Sequence, residues 1–333
     1  MHKGIYFEAD TLDDLLTDVF KQLLDNRKII NASRGNFTEI FGAMLVLNNP
    51  RARLSRSESK GKIFTALGEL FWYLSKKNNL EFMEYYLPGR YTKESDDGVS
   101  VRSGYGERLF GHNGNNQIQN IITLLRKKPT TRQAVIQLFD ASDLSINFKS
   151  IPCTCTLQFI IRDNKLNLMA NMRSNDAFIG LPHDVFTFTM LQEIIARSIG
   201  IDIGIYKHSV CSLHLYEDNH EKAKTYLSEG WQSPIAMDPM PIEDPWEAIK
   251  VVRNIEEQVR TNMEIDLSSI KLSPFWVDIC RLLVVFQKWK ASQNHKADMF
   301  TACQEIKTQV SSKVYHMFID AKLDSLNPLG DGR

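Results

Sequence analysis

The chain has 333 residues, of which 43% are hydrophobic and 24% are charged, and its 40 basic and 40 acidic residues balance at pH 7. This length suits either one big domain or two, with a large buried core. Because no net positive charge remains, the chain lacks the basic field that is typical of nucleic-acid-binding proteins, and we expect no nucleic acid among its partners.

The cysteines and the apolar runs indicate in which cellular compartment the protein is expected. Five cysteines in a chain of this length are sparse and odd in number, which does not indicate a disulfide framework. Residues 1–16 carry acidic side chains and no apolar run of signal-peptide length. No stretch approaches the ~20 apolar residues that span a bilayer. We therefore expect a cytoplasmic protein that has no membrane partner.

Before residue 230 the predicted elements mix helices and strands. Residues 60–75 place apolar side chains at helical spacing, which predicts a helix that faces the core. The β-branched run 133–139 has the length and composition of a strand. Residues 155–172 have the pattern of a β-hairpin that turns at residues 163–165.

A long apolar helix is predicted over residues 182–199, with proline near its start and Gly200 just past its end. Residues 205–216 alternate loosely and are expected to return to the sheet. A proline-marked connection begins near Trp231, and the pattern from residue 246 to residue 323 is nearly all helical.

These elements predict an α+β fold that combines a mixed β-sheet, packed helices and a helical C-terminal extension. We divide the chain into a body over residues 1–230 and a mostly helical extension over residues 231–333. The sequence leaves open whether the extension packs on the body or forms a separate domain.

Cys153 follows a proline at the entrance to the predicted hairpin. A thiolate can attack the electron-poor C6 of a pyrimidine, provided that positive charge or hydrogen-bond donors lower the pKa of the thiol. A Pro-Cys dipeptide alone is weak evidence, since free cysteine is often a small buried apolar residue. Cys153 and Cys155 also form a C-x-C pair, but structural zinc needs about four ligands. No second Cys/His cluster lies nearby, so we predict no metal site.

A polar run follows the hairpin. Arg173 and Ser174 offer a forked cation and a hydroxyl, which suits a phosphate, although Arg173 would equally suit a structural ion pair. The segment Gly180-Leu181-Pro182 predicts a tight turn that begins the long helix, with Asp184 in the first helical turn. The simplest alternative role for Asp184 is a helix-start carboxylate that the helix macrodipole favours.

The run RSNDAFIGLPHDVF (residues 173–186), with the Pro-Cys pair upstream and HLY (residues 214–216) downstream, resembles the thymidylate synthase superfamily. That superfamily includes enzymes that methylate dUMP and enzymes that hydroxymethylate cytidine nucleotides. The resemblance extends from Arg34 to Asn219. Several motifs in the same order are a stronger signal than a single motif. The further matching segments are IFG (40–42), GELFW (68–72), GYG (104–106) and QF (158–159).

The resemblance implies a thymidylate synthase-like fold, and it makes the body over residues 1–230 the catalytic domain. Cys153 matches the nucleophile that adds to C6. Glu69 matches the carboxylate that organises water and proton transfers near the folate, although by itself it could be a solvated helix residue. Asp184 occupies the position that reads the base.

The resemblance also implies that the substrate is a pyrimidine nucleoside monophosphate. Arg173 and Ser174 match phosphate ligands, and Arg34 is expected to add another phosphate contact. Arg132 matches the segment that reaches across a homodimer to the partner's phosphate site. The family usually has two adjacent arginines there, whereas the second residue in this chain is Gln133.

Three more positions are carried over from the family. His214 and Tyr216 match residues that bind the sugar hydroxyl, although each could instead be a half-buried strand residue satisfied by the backbone. Asp176 matches a position near the catalytic cleft. The pattern at these positions leaves ribose and deoxyribose equally open.

Asp184 stands where thymidylate synthases carry an asparagine. An amide can pair with uracil N3–H and O4 together, whereas cytosine N3 accepts and its exocyclic amine donates. A carboxylic acid can donate to that N3 and accept from the amine, and an ionised aspartate does so only when N3 takes the proton. We therefore predict CMP or dCMP as substrate, with the pKa of Asp184 raised by burial. Discrimination against the wrong base could reach ~10⁴-fold.

The one-carbon donor implied by the resemblance is 5,10-methylenetetrahydrofolate. Hydride from the folate would leave a methyl group on C5, and water would leave a hydroxymethyl group. Thymidylate synthases place a tryptophan after the helix that carries Glu69, whereas residues 81–106 contain none. Water could then compete with hydride, unless Tyr85, Tyr86 or Tyr91 fills the same space.

The sequence therefore predicts a homodimeric cytidylate hydroxymethylase. A thymidylate synthase that methylates dUMP and a catalytically idle nucleotide-binding homologue are the alternatives. Four departures from the family pattern lie near the expected ligands: Thr154, Met172, Ser212 and the C-terminal residues 325–333, which lack the family's short apolar ending.

Overall fold

The structure is a computed structural model that describes residues 5–26, 28–32, 34–292 and 296–326. The last seven positions, part of the unusual C-terminal sequence noted above, lie outside the described residues. A seven-stranded mixed sheet has the order β1-β3-β7-β6-β5-β4, with β2 paired to β3. Its strands are β1 (Ile5–Ala9), β2 (Ile29–Ile30), β3 (Phe37–Leu47), β4 (Val135–Gln137), β5 (Thr154–Arg162), β6 (Lys165–Asp176) and β7 (Asp202–Tyr216).

Helices pack against this sheet, and the predicted α+β class is confirmed. Strands β1 and β3 run parallel, as do β6 and β7, while the other neighbours are antiparallel. The helices are α1 (Leu12–Asp25), α2 (Ile63–Leu74), α3 (Leu80–Tyr86), α4 (Tyr105–Phe110), α5 (Gln117–Lys127), α6 (Gly180–Ser198), α7 (His220–Ser228), α8 (Trp246–Arg260), α9 (Pro274–Ala291), α10 (Lys296–Gln309) and α11 (His316–Leu326).

The predicted hairpin is the pair β5–β6, and its turn is tighter than expected. Asp163 and Asn164 have φ values of 49° and 54°, so both residues of the turn lie in the left-handed region. Asp and Asn tolerate this region, and such a turn matches the twist of the flanking strands. The predicted strand over 133–139 is also shorter, because only Val135–Gln137 pairs with β5.

The central helix α6 begins two residues before the predicted start. Its side chains are buried nearly all round, as expected for a helix between a sheet and other helices. The placement of Asp184 in the first turn is therefore wrong, since the helix begins at Gly180. Macrodipole stabilisation falls off within the first turn and does not account for an acid at this position.

The C-terminal helices pack on the body rather than standing away from it. The ring of Phe64 on α2 stacks on Phe286 of α9, with centroids 5.7 Å apart. Tyr86 on α3 also stacks on Phe286, with centroids 5.5 Å apart. One hydrophobic cluster includes buried side chains from α1 to α11. The core is thus continuous across residue 230.

Candidate active site

Cys153 directly precedes β5, where a loop meets the sheet. The backbone N–H of Arg173 on β6 donates to the Cys153 carbonyl at 2.9 Å. Arg173 Nη2 lies 3.6 Å from the Cys153 Sγ. The same guanidinium donates from Nε to the Pro152 carbonyl at 2.9 Å and from Nη2 to the Ile151 carbonyl at 3.1 Å. The loop carbonyls therefore hold the Arg173 cation beside the thiol.

The positive neighbour expected for Cys153 is present, but it does not dominate the thiol. Burial raises the pKa of Cys153, and the charge of Arg173 lowers it by less than burial raises it. Asp184 raises the same pKa, and Arg34 lowers it. Desolvation penalises the thiolate because it removes water from the charged form. Of the two cations that oppose the effect of burial on this pKa, Arg173 has the larger effect.

Two buried carboxyl groups approach the cleft from α2 and α6. Asp184 is 9% exposed and Glu69 is 7% exposed. Tyr73 Oη donates to Glu69 Oε1 at 2.5 Å. Burial raises the pKa of Asp184 well above its ordinary value, and the nearby charge of Glu69 raises it further. The prediction of a raised pKa is confirmed, and the shift favours the neutral form of Asp184 over the carboxylate.

A chain of buried polar groups leads away from Asp184, and the sequence analysis missed it. Asn175 Nδ2 donates to Asp184 Oδ2 at 2.7 Å. Asn175 Oδ1 lies 3.1 Å from His208 Nε2, and His208 Nδ1 lies 2.6 Å from the Tyr206 hydroxyl. Tyr206 and His208 are two residues apart on β7, the spacing that puts side chains on one face of a strand. That spacing was the available signal.

The cationic end of the cleft is made by arginines from separate loops. Arg34 Nη2 donates to the Lys149 carbonyl at 3.1 Å, and its Nη1 lies 3.6 Å from Glu94 Oε1. Arg90 Nη1 lies 3.8 Å from the same carboxylate oxygen. Burial raises the pKa of Tyr216, while Arg34 and Arg90 both lower it. Arg90 had no sequence signal, since it is a single arginine in a loop.

His214 and Tyr216 lie at the end of β7 that faces these arginines. Their rings meet edge to face, with centroids 5.0 Å apart, and Phe37 packs on His214 at 5.1 Å. His214 Nδ1 lies 3.4 Å from the Ser212 carbonyl, so that Nδ1 donates and Nε2 is left for another partner. The structure thus brings both predicted sugar ligands to the end of the cleft where Arg34 lies.

Asp176 and Ser174 lie on β6 at the same end of the sheet. Asp176 Oδ1 accepts from the backbone N–H groups of Phe178 and Ile179 at 2.8 and 3.0 Å, which shapes the turn into α6. Ser174 pairs with Ser212 of β7. Asp176 therefore has a structural role in the turn besides its predicted place near the cleft.

Arg132 does not join this group. It is exposed in the loop between α5 and β4, and its carbonyl accepts from Gln158 Nε2 at 3.3 Å. Strand β4 lies at an edge of the sheet. The role of Arg132 at the phosphate site of a second chain stays a prediction.

The α2 side of the cleft carries basic and aromatic groups. Lys60 is 7% exposed, with Nζ 3.6 Å from the centroid of the Phe178 ring. Burial lowers the pKa of Lys60 to about 8, against an opposing effect of Asp176. His183 Nε2 lies 3.0 Å from Thr65 Oγ1, and burial lowers the pKa of His183. Sequence reasoning singled out neither Lys60 nor His183.

The tyrosines that follow α2 separate into two groups. Tyr91 packs against Trp72 with centroids 5.4 Å apart, and the charges of Glu69 and Asp184 both raise its pKa after burial. Tyr85 and Tyr86 instead contact Phe286 of α9. Tyr91 is thus the tyrosine that lines the cleft beside the two carboxyl groups.

Comparison with known proteins places this geometry in a family. The family model described as thymidylate synthase matches residues 37–249, which is more than half of the chain. The chain belongs to the thymidylate synthase family. A solved structure of thymidylate synthase from T4 phage has a TM-score of 0.57 and 20% identity, and the match covers 72% of this chain and 91% of that chain. That likeness confirms the thymidylate synthase-like fold.

Relatives within the family carry two kinds of name. A deoxyuridylate hydroxymethyltransferase of Delftia phage PhiW-14 is 32% identical over 58% of this chain and 57% of its own length. One of Pseudomonas phage M6 is 32% identical over 49% of this chain and 47% of its own. A thymidylate synthase of Listeria monocytogenes is 29% identical over 38% of this chain and 40% of its own. The chain thus matches about half of the length of these relatives.

The described residues hold no group of three or more His, Cys, Asp or Glu side chains that could bind a metal ion. Within the described ranges, no helix is long and apolar enough to cross a membrane. All five cysteines are free.

Proposed function

We propose that this protein transfers a one-carbon unit to C5 of a cytidine monophosphate, CMP or dCMP, and releases the 5-hydroxymethyl nucleotide. The observation that carries the proposal is the position of Asp184, a buried acid with a raised pKa, close to Cys153 and its cation Arg173. A nucleophile, an anion site and a base-reading acid then converge on one small ligand.

Cys153 is the group that forms the covalent bond. Its Sγ adds to C6 of the pyrimidine, and the electron pair of the C5=C6 bond moves to C5, which becomes the nucleophile. Arg173 stabilises the thiolate before attack, since it lies 3.6 Å from the sulfur. After C5 has accepted the one-carbon unit and lost its proton, water adds to the new carbon and the electron pair returns to C5. That pair re-forms the C5=C6 bond, the C6–Sγ bond breaks and the thiolate returns.

Asp184 reads the base in this proposal. Its Oδ2 is held by Asn175, and its Oδ1 has no hydrogen bond to the described part of the chain. As a neutral acid, Oδ1–H donates to cytosine N3, and the second lone pair of Oδ2 accepts from the exocyclic amine. Transfer of that proton toward N3 supports the charge that develops when Cys153 adds to C6.

Glu69 holds water and protons next to C5. Tyr73 occupies Glu69 Oε1, which leaves Oε2 for a water molecule in the cleft. Tyr91 and His183 make this side of the cleft polar. We propose that a water molecule on Glu69 Oε2 adds to the carbon newly attached to C5, which gives a hydroxymethyl rather than a methyl product.

The α2 side of the cleft carries a cation and an aromatic ring that suit a folate. Lys60 has a buried ammonium that forms no ion pair with the described residues, so it can meet a glutamate carboxylate of the cofactor. Tyr91 offers a ring face for a pterin. When bound, 5,10-methylenetetrahydrofolate supplies a one-carbon unit at the oxidation level of formaldehyde. Lys60, His183 and Tyr91 would hold it against Glu69.

The phosphate and the sugar are assigned to the opposite end. Arg34, Arg173 and Ser174 are proposed to bind the phosphate, and His214 and Tyr216 the sugar hydroxyl. We further propose a homodimer in which Arg132 of each chain reaches the phosphate site of the other. The exposed position of Arg132 at the sheet edge supports this arrangement.

A uridine nucleotide is the second candidate substrate. Two relatives at 32% identity are named deoxyuridylate hydroxymethyltransferase. A neutral acid could also serve uracil if its hydroxyl faced O4 and its carbonyl oxygen faced N3–H. The choice between the bases thus depends on which oxygen of Asp184 bears the proton and which base atom that oxygen faces.

Product mass discriminates between these candidates. The protein is incubated with 5,10-methylenetetrahydrofolate and with CMP, dCMP, UMP or dUMP, with Cys153→Ala as the inactive control. We expect a hydroxymethyl mass increment on CMP or dCMP. A hydroxymethyl or methyl increment on UMP or dUMP alone would overturn the cytidine proposal, and no product with any nucleotide would favour an idle homologue.

A further inference from the structure

Three buried side chains behind Asp184 form a chain of hydrogen bonds that ends at Asp184. Tyr206, His208 and Asn175 are 1%, 0% and 4% exposed, so water does not reach them. The chain connects Tyr206 Oη to His208 Nδ1, His208 Nε2 to Asn175 Oδ1, and Asn175 Nδ2 to Asp184 Oδ2. Asp184 is the member that opens to the cleft.

The hydrogen bonds of such a chain can run in either of two directions, here called the forward and the reverse sense. In the forward sense, the Tyr206 hydroxyl donates to His208 Nδ1, His208 Nε2–H donates to Asn175 Oδ1, and the Asn175 amide donates to Asp184. In the reverse sense, Asp184 Oδ2–H donates to a flipped Asn175, and the proton order along the whole chain inverts. The two senses place the proton of Asp184 on different oxygens.

Tyr206 removes this ambiguity, because it carries one hydroxyl proton. In the forward sense that proton is donated to His208 Nδ1. In the reverse sense His208 donates to Tyr206, and the tyrosine proton has no acceptor among the described residues. An unsatisfied buried donor is costly, so the forward sense is favoured. Burial lowers the pKa of His208 to about 3, which keeps the imidazole neutral and able to carry the order.

Gly180 gives the chain room at its active-site end. A Cβ at this position would lie 2.9 Å from Asn175 Nδ2 and 3.5 Å from Asp184 Oδ2. Real Cβ atoms essentially never approach another heavy atom as closely as the first of these distances. The contact between Asn175 and Asp184 therefore fits a site where α6 begins with a glycine.

We propose that Tyr206, His208 and Asn175 are positioning residues that keep the proton of Asp184 on Oδ1, and that this fixed order decides which pyrimidine the protein accepts. The inference rests on the proposed role of Asp184 as the base reader. It does not require that the preferred base is cytosine, since either base would be selected by a fixed order of donor and acceptor. None of the three residues needs to touch the substrate.

Equilibrium binding tests this without turnover. The ratio of the dissociation constants for CMP and UMP, and for dCMP and dUMP, is measured by calorimetry for the full chain and for Tyr206→Phe and Asn175→Ala. We expect the preference for one base to fall about tenfold to a hundredfold in both variants. In these variants the proton of Asp184 can lie on either oxygen. The affinity for the other base therefore rises by more than the affinity for the preferred base falls.

Tyr226→Phe is the matched control. Tyr226 is also a buried tyrosine, 3% exposed, and its hydroxyl donates to Asp13 on α1 at 2.8 Å rather than to the chain behind Asp184. We expect its base ratio to equal that of the unaltered protein, and thermal unfolding of each variant establishes that it is folded. If Asn175→Ala does not fold, Tyr206→Phe alone decides.

The outcomes separate this inference from the proposed function. An unaltered protein that prefers uracil, with a preference that collapses in Tyr206→Phe, overturns the cytidine substrate but supports the chain. A folded Tyr206→Phe that keeps the full preference overturns the chain, whichever base is preferred. An unaltered protein that binds both bases equally also overturns it.

Discussion

Replacing Asp184 with asparagine is the most informative single perturbation of this cleft. In isolation an amide can turn either its oxygen or its nitrogen toward a base. In this protein one orientation is favoured, because Asn175 Nδ2 donates to the position of Asp184 Oδ2 at 2.7 Å. The oxygen of the introduced amide accepts that bond, and the amide nitrogen then takes the position of Oδ1.

The preference for this amide orientation can be estimated from the cost of the opposite orientation. Turning the amide would bring two N–H donors face to face in a buried site. Each donor left without an acceptor costs about 1–3 kcal/mol, which corresponds to about a 5- to 150-fold bias between the orientations. The favoured orientation presents a donor where the neutral acid presented one. We therefore expect Asp184→Asn to keep the base preference of the unaltered protein.

Catalysis responds differently from base choice. An amide has no acidic proton to move toward N3, so kcat falls in Asp184→Asn, by the ~10²–10⁴-fold that general acid catalysis typically contributes. Adding Asn175→Ala removes the donor that orients the amide. We expect the double variant to shift its kcat/KM ratio toward uridine nucleotides by about 5- to 150-fold relative to Asp184→Asn.

The assay is kcat/KM for CMP, dCMP, UMP and dUMP with the two variants, and nucleotide binding gives the ratio if turnover is too slow. Thr189→Val in the Asp184→Asn background is the control, since the Thr189 hydroxyl is buried on α6 and donates to the Val185 carbonyl at 2.6 Å. A full switch to uridine in Asp184→Asn alone would refute the reasoning, because it would mean that Asn175 does not orient the side chain.

Three further predictions concern the thiol, the helix start and the pH dependence of stability. Arg173→Gln removes the cation 3.6 Å from Sγ, so the pH midpoint of Cys153 alkylation rises, while Arg162→Gln leaves it unchanged. Gly180→Ala lowers the free energy of unfolding by about 1–3 kcal/mol through overpacking, whereas Gly111→Ala, whose Cβ would lie 3.5 Å from the Glu107 carbonyl, costs less in urea denaturation. His208 has a pKa of about 3 in the folded chain against an ordinary value of 6.5, so the unfolded chain binds more protons between these pH values. Stability therefore falls as pH drops from 6.5 toward 3, by up to about 1.4 kcal/mol per pH unit, and His208→Phe loses this slope while His112→Gln keeps it.

The sequence by itself determined the fold class and the order of the main elements. Periodicity was sufficient for α2, α6, the β5–β6 hairpin and β7, because each buries one face or all faces at a regular spacing. The resemblance to thymidylate synthases placed Asp184 in a buried base-reading position, from which the raised pKa was predicted.

Only the tertiary structure decided which groups meet. Cys153, Arg173 and Asp184 lie on separate elements, and their proximity follows from the pairing of β5 with β6 and the packing of α6 on the sheet. Local patterns do not encode such contacts between distant residues. Local patterns therefore missed the hydrogen-bond chain of Tyr206, His208 and Asn175. These three buried groups have no access to water, and one direction of hydrogen bonding satisfies all of them together.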